Sequence, residues 1–335
     1  MQARAPAKAI LSGEHSVVYG MPALALALPL YATVSITPGS DPHRLELWLS
    51  DLDCRCDLDL SQLAVFQYRC EQRYQRFLDD ELAIEAVLPS PSDLYHYALS
   101  IWPDAAVALA GSRIVLTSAI AIGSGMGSSA ATVAAFLSAI AGHLGQPLGS
   151  DQLIGLTTRC ERLQHGRSSG LDPAICARGG LLQFQQGVVE RLSVQLDNNW
   201  YRVDSGRPQA TTGSCTSWVR QRFGASTIWS EFAAVTRQLA AALQCRDADQ
   251  IVASLRLNHR LLCRIGVVPA SVQAFIKTIE QRGGAAKISG AGAISGEQGG
   301  MVLVYIPGTC AVTAVSLGYS WQRLEMDQHG AQFGD

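Results

Sequence analysis

The sequence predicts an α+β fold, built as one large domain or two closely packed ones. Three observations predict it. Strand-like and helix-like segments interleave along the chain with few strict βαβ units, which argues against a doubly wound parallel sheet. The 335 residues are 48% apolar, enough for a substantial core. The 26 basic residues nearly balance 28 acidic ones, for a net charge of −2. Disorder, which needs low hydrophobicity and high net charge, is therefore excluded, and no nucleic-acid partner is expected without a basic excess.

The elements follow in order. Residues 3–12 read as a strand that ends in a turn at Ser12-Gly13, and 22–37 as a second strand with β-branched Thr33, Val34 and Ile36. Leu45, Leu47 and Leu49 alternate within a hairpin arm over 43–60. Residues 62–86 carry Phe66, Tyr74, Phe77 and Leu78 on one face of a solvated amphipathic helix. Pro89 and Pro91 interrupt the chain before a helix near 92–101. A strand at 113–122 runs into a glycine-rich turn and a helix of small residues. A helix over 151–164 precedes paired strands over 179–196 that turn at Gln186-Gly187. Helices are expected over 213–223, 230–244, 247–263 and 269–283, and a strand-turn-helix-strand unit over 284–325. The weak boundary near 190–205 divides the chain into 1–195 and 196–335.

Nine irregularly spaced cysteines do not form a disulfide framework. Reduced thiols fit the cytoplasm. No apolar stretch approaches the ~20 residues of a membrane helix, and the N-terminus lacks a signal-peptide core, so no membrane association is expected. Only three of the basic residues are lysines, Lys8, Lys277 and Lys287; the rest are arginines. Codon bias accounts for the excess of arginine but not for these three exceptions.

Three segments carry chemistry. The most informative is Gly123-Ser124-Gly125-Met126-Gly127-Ser128-Ser129, whose alternating glycines permit positive φ and close approach of a ligand before a helix begins. A helix N-terminus presents free N–H groups and suits a phosphate. The segment is neither a Walker A loop nor the dinucleotide fingerprint, which would need glycine at Ser128. A purely structural turn, with Ser128 or Ser129 as N-cap, is the alternative. The segment around Lys8, Glu14 and His15 sets a lysine in an apolar strand, where Lys8 and Glu14 could form a structural ion pair. In the third, Glu161 precedes Asp172 by eleven residues. A hard cation takes carboxylate and hydroxyl oxygens, and a separately held Asp172 could act as a base. The alternatives are a Glu161 pair with Arg159 or Arg162 and an Asp172 turn cap. A further glycine-rich loop, Lys287 to Gly300, reads as a surface hairpin when taken alone.

Together these segments resemble the motifs of the GHMP kinases, with Gly-Glu-His-Ser-Val-Val-Tyr-Gly (13–20) most similar to the mevalonate kinases. The resemblance covers 4–37, 113–187, 200–223 and 256–307, and 40–110 carries almost none of it. It implies a two-lobed fold, with an N-terminal lobe like ribosomal protein S5 domain 2 and a ferredoxin-like α/β C-terminal lobe. It also implies a cytoplasmic, ATP- and Mg²⁺-dependent kinase that phosphorylates the primary hydroxyl of mevalonate. By the same resemblance Gly123, Ser124, Gly125, Met126, Gly127, Ser128 and Ser129 hold the phosphates, and Ser129 and Glu161 hold Mg²⁺. Asp172 is the base and Lys8 its partner. Lys8, Glu14, His15, Asp172 and Thr211 lie at the substrate, and Lys287 to Gly292 form the third motif. A homodimer is compatible with it.

The departures are a third motif without its run of glycines, the absence of any Asn before Asn198, and Ser168 in place of a proline. Adenine recognition must therefore differ. The rivals are a GHMP kinase for phosphomevalonate, a sugar or homoserine, and a relative that binds ligand without catalysis.

Overall fold

The computed structural model describes residues 1–41, 44–102, 108–166, 168–308 and 318–334. Two sheets organise these residues. The larger has the order β12-β1-β2-β5-β3-β4, with β6 pairing β2 and β7 pairing β6. Its strands are β1 (Gln2–Ser12), β2 (Ala23–Pro38), β3 (Leu45–Leu49), β4 (Cys54–Leu58), β5 (Ser112–Ser118), β6 (Leu181–Gln185), β7 (Val188–Leu192) and β12 (Gln332–Gly334). The smaller is antiparallel, in the order β11-β8-β10-β9, from β8 (Trp200–Asp204), β9 (Ala285–Ile288), β10 (Met301–Tyr305) and β11 (Trp321–Arg323).

The central strand β2 serves two partners. Its first part, Ala23–Leu26, pairs β6, and Ala32–Pro38 pairs β5, while β1 follows both. The register with β1 shifts between Pro6 and Ala7, where Pro29 and Leu30 of β2 have no opposite residue. Proline donates no ladder hydrogen bond and is tolerated at such a bulge. Leu24, Leu26 and Leu28 enter the main core, and Ala23, Ala25 and Ala27 pack on Leu171, Ala174 and Ile175. The alternation of large and small residues thus reflects a strand buried on both faces.

The helices are α1 (Leu63–Leu78), α2 (Asp93–Ser100), α3 (Ser128–His143), α4 (Ser150–His165), α5 (Leu171–Arg178), α6 (Thr212–Phe223), α7 (Ile228–Cys245), α8 (Ala248–Arg264) and α9 (Ala270–Glu280). The helix expected over 62–86 ends at Leu78. Asp79, Asp80 and Glu81 follow, Asp80 with φ 59°. Acidic charge opposes the negative end of a helix dipole, and a left-handed residue stops the hydrogen-bond ladder. Helix α5 was not expected from the sequence. Asp172 lies in its first turn rather than capping a turn, and Pro173 is accommodated there because early helical N–H groups have no partner. Of the strand-turn-helix-strand unit expected over 284–325, residues 309–317 lie outside the described residues. The chain's final strand, β12, returns to β1 of the first sheet although it follows residue 196. Among the described residues no helix is long and apolar enough to cross a membrane.

Candidate active site

A cavity of about 980 Å³ opens between the two sheets, and all three chemical segments line it. Lys8 reaches it from β1 and is almost wholly buried, with its Nζ 3.4 Å from Asp172 Oδ2. The Asp172 carboxylate stays partly accessible to the cavity, at 30% exposure. The Lys8 N–H donates to Met126 O at 3.0 Å and ties β1 to the glycine-rich turn.

That turn packs where a side chain could not. A Cβ on Gly125 (φ 79°) would sit 2.6 Å from Ser289 O, and one on Gly127 (φ 70°) would sit 2.9 Å from Lys8 Cγ. Gly127 is the N-cap of α3, and no side chain caps that helix. Ser128 and Ser129 are thus not caps. The first N–H groups of α3 are left toward the cavity, as an anion site requires.

Ser129 Oγ donates within 2.6 Å of Glu161 Oε1 and 2.7 Å of Gln164 Oε1. Burial raises the Glu161 pKa, opposed by His165, whose Nε2 lies 3.6 Å from Oε2, and by Ser129. Neither Arg159 nor Arg162 pairs with Glu161. Arg159 instead holds Glu71 and Tyr97. Hydroxyl, carboxylate and amide oxygens converge here, a donor set suited to a hard cation. Among the described residues no group of three or more His, Cys, Asp or Glu side chains could enclose a metal. One carboxylate with neutral oxygens suits an ion that shares its coordination with phosphates.

The Lys8–Glu14 pair does not form. Glu14 pairs with Lys287, both essentially without exposure, and Lys287 Nζ also donates to Ile10 O at 3.1 Å. Burial raises the Glu14 pKa and lowers that of Lys287, each opposed chiefly by the partner's charge. The other Glu14 oxygen, Oε2, is buried without a hydrogen-bond partner. His15 has φ 57° and donates from Nε2 to Ala291 O at 3.0 Å, which leaves Nδ1 as an acceptor. The third glycine loop is not a surface hairpin. Ser289 Oγ accepts from Ile10 N at 2.7 Å, and Gly290 packs on Gly125. Thr211 lines the cavity and caps α6, accepting from Ser214 N at 3.1 Å.

Burial pushes His15 down to about 4, and burial with Lys287 and Arg260 nearby pushes His259 to about 4. The unfolded chain, with imidazoles near 6.5, binds more protons between those values. Stability is expected to fall as pH drops from about 6.5 to about 4. Urea midpoints across this range check it, and His15→Asn with His259→Asn should flatten the slope.

The sequence did not mark residues 49–95 as part of the site, yet Leu49, Leu52, Ile84, Leu88 and Pro91 form an apolar end of the cavity. Gln164 and Arg207 were also missed. Gln164 lies one helical turn beyond Glu161, a spacing that could have signalled it.

Residues 94–180 match the family described as the GHMP kinases N terminal domain. Mevalonate kinase of Arabidopsis thaliana is 26% identical over 350 residues, covering 92% of this chain and 91% of that protein. A mevalonate kinase crystal structure superposes with a TM-score of 0.74 at 20% identity, covering 97% of this chain and 99% of the other. Galactokinase of Lactococcus lactis, crystallised with galactose, superposes with a TM-score of 0.76 at 15% identity, covering 99% and 94%. These structural likenesses establish the fold, and the sequence match to the Arabidopsis enzyme extends over nearly the whole chain. The chain thus carries a match to the GHMP kinases N terminal domain and is similar to mevalonate kinases along nearly its whole length.

Proposed function

We propose that the protein transfers the γ-phosphoryl group of ATP to the primary hydroxyl of mevalonate, giving 5-phosphomevalonate and ADP. The observation that carries this reading is the Lys8–Asp172 pair, set beside the glycine-rich turn in one cavity. Phosphoryl transfer asks a protein mainly for positioning and for charge stabilisation. Both are provided by one chain, so a homodimer would carry two independent sites.

Gly123 to Ser129 and the start of α3 cradle the phosphates through backbone N–H groups. Ser129 and Glu161, with Gln164 beside them, fit Mg²⁺. Bound there, such an ion would supply neutralisation of phosphate charge. Asp172 accepts the hydroxyl proton, and Lys8, 3.4 Å away, orients its carboxylate. Glu14, His15 and Thr211 border the alcohol. The apolar end made by 49–95 accepts the adenine in the absence of the family's asparagine. We read 1–195 and 196–335 as the lobes that close on this cavity, with β12 returned to the first. The eight cysteines among the described residues are all unpaired, in keeping with a cytoplasmic enzyme.

The alcohol is drawn from the Arabidopsis enzyme, which matches over nearly the whole chain. A coupled ADP-release assay over mevalonate, phosphomevalonate, galactose and homoserine tests it. Mevalonate should give the highest kcat/KM, and the rate should vanish when Mg²⁺ is chelated. Preference for galactose would overturn the substrate. No release with any alcohol would overturn the activity.

A further inference from the structure

The glycine-rich turn, Gly123 to Ser129, contains no basic residue. Walker A loops carry a lysine that reaches the β- and γ-phosphates, and nothing in this turn takes its place. Among the described residues, the other cations lining the cavity are committed. Lys8 is held by Asp172, and His165 faces Glu161. His15 is held neutral near pH 7 by burial. Five carboxylates line the same cavity, at Glu14, Asp51, Glu85, Glu161 and Asp172. A nucleotide triphosphate remains net negative even with one Mg²⁺, so a further positive charge at the turn would favour its binding.

Arg207 is that charge by position. It comes from the other lobe, in the loop after β8, and lies over the first glycine of the turn. Its Nε is 3.3 Å and its Cγ 3.5 Å from where a Cβ on Gly123 would sit. The side chain is exposed to the cavity and, among the described residues, has no ion-pair or hydrogen-bond partner. Its backbone is fixed. Ser205 Oγ donates to Gly300 O at 2.7 Å and accepts from Gly299 N at 3.0 Å, and Gly300 N donates to Gly206 O at 3.1 Å. Met301 N then donates to Ser124 O at 3.0 Å, which locks this loop to the glycine-rich turn. Pro208 restricts Arg207 further to extended backbone.

We infer that Arg207 clamps the nucleotide's phosphate tail against Gly123, supplying from the second lobe the cation that the phosphate loop lacks. Its planar fork can engage two phosphate oxygens at once, and its charge persists at any working pH. The inference rests on the ATP-dependent reading above.

The test measures affinities for AMP, ADP and ATP by calorimetry with wild type, Arg207→Ala and Arg207→Lys. Arg207→Ala should weaken ATP by about 10- to 100-fold, the worth of hydrogen bonds to a charged group, weaken ADP less, and change AMP by less than about two-fold. Arg207→Lys should recover part of the ATP loss. Equal losses for all three nucleotides would make Arg207 a structural residue, and no loss would remove it from the site. Either result overturns the inference. Failure of wild type to bind ATP would instead overturn the ATP-dependent reading itself.

Discussion

Asp172→Asn is expected to lower kcat by about 10²- to 10⁴-fold, the contribution of a positioned general base. Asn has the same shape as Asp and keeps a carbonyl oxygen toward Lys8 Nζ, so the fold and the cavity should survive. It accepts no proton, however, and it removes the negative charge that holds Lys8 in place. ATP affinity should change little, because the proposed phosphate contacts, the glycine-rich turn and Arg207, are left intact by the substitution. The loss should therefore appear in kcat and not in the KM for ATP. Steady-state kinetics with ATP and mevalonate checks this. Turnover close to wild type would remove Asp172 as the base and leave its pair with Lys8 structural.

Lys287→Met should cost about 3–5 kcal/mol of stability, the range found when one partner of a buried ion pair is removed. Lys287 is wholly buried and bridges Glu14 to Ile10 O, so its loss strands a carboxylate whose second oxygen already has no partner. Glu14→Gln with Lys287→Met removes both charges and should regain most of the loss, because the uncompensated charge and not the lost attraction dominates the cost. Urea unfolding of the three proteins separates these terms. A Lys287→Met cost below about 1 kcal/mol, as for an exposed pair, would contradict the account. The pair also explains why a chain so rich in arginine keeps lysine at these positions. Lys287 meets Glu14 and Ile10 O in a wholly buried site, and the almost wholly buried Lys8 meets Asp172 Oδ2 at the cavity wall, where a compact ammonium fits and a planar fork would not.

The sequence carried the fold class and the three segments, because glycine spacing, strand alternation and amphipathic period are local signals. Glu161 and Asp172 were legible as candidates from their spacing, whereas Lys8 and Ser129 became candidates through the resemblance to the GHMP kinases. Which residue pairs with which was not. Glu14 and Lys287 are separated by 273 positions, and long-range contacts of Ile10 with Lys287 and Ser289 accompany their meeting. Helix α5 escaped notice because it is short and carries Pro173 in its first turn. The contribution of 49–95 was hidden because an apolar wall needs no motif. Arg207 was hidden because one arginine among twenty-three is conspicuous only when Gly123 is found beneath it.

The most direct test of the central claim is phosphorus NMR of a reaction containing the protein, ATP, Mg²⁺ and mevalonate. Transfer to the primary hydroxyl predicts a new phosphomonoester resonance, split into a triplet by the adjacent methylene protons and growing in step with ADP. A spectrum with unchanged ATP, or with inorganic phosphate as the only new signal beside ADP, would contradict it.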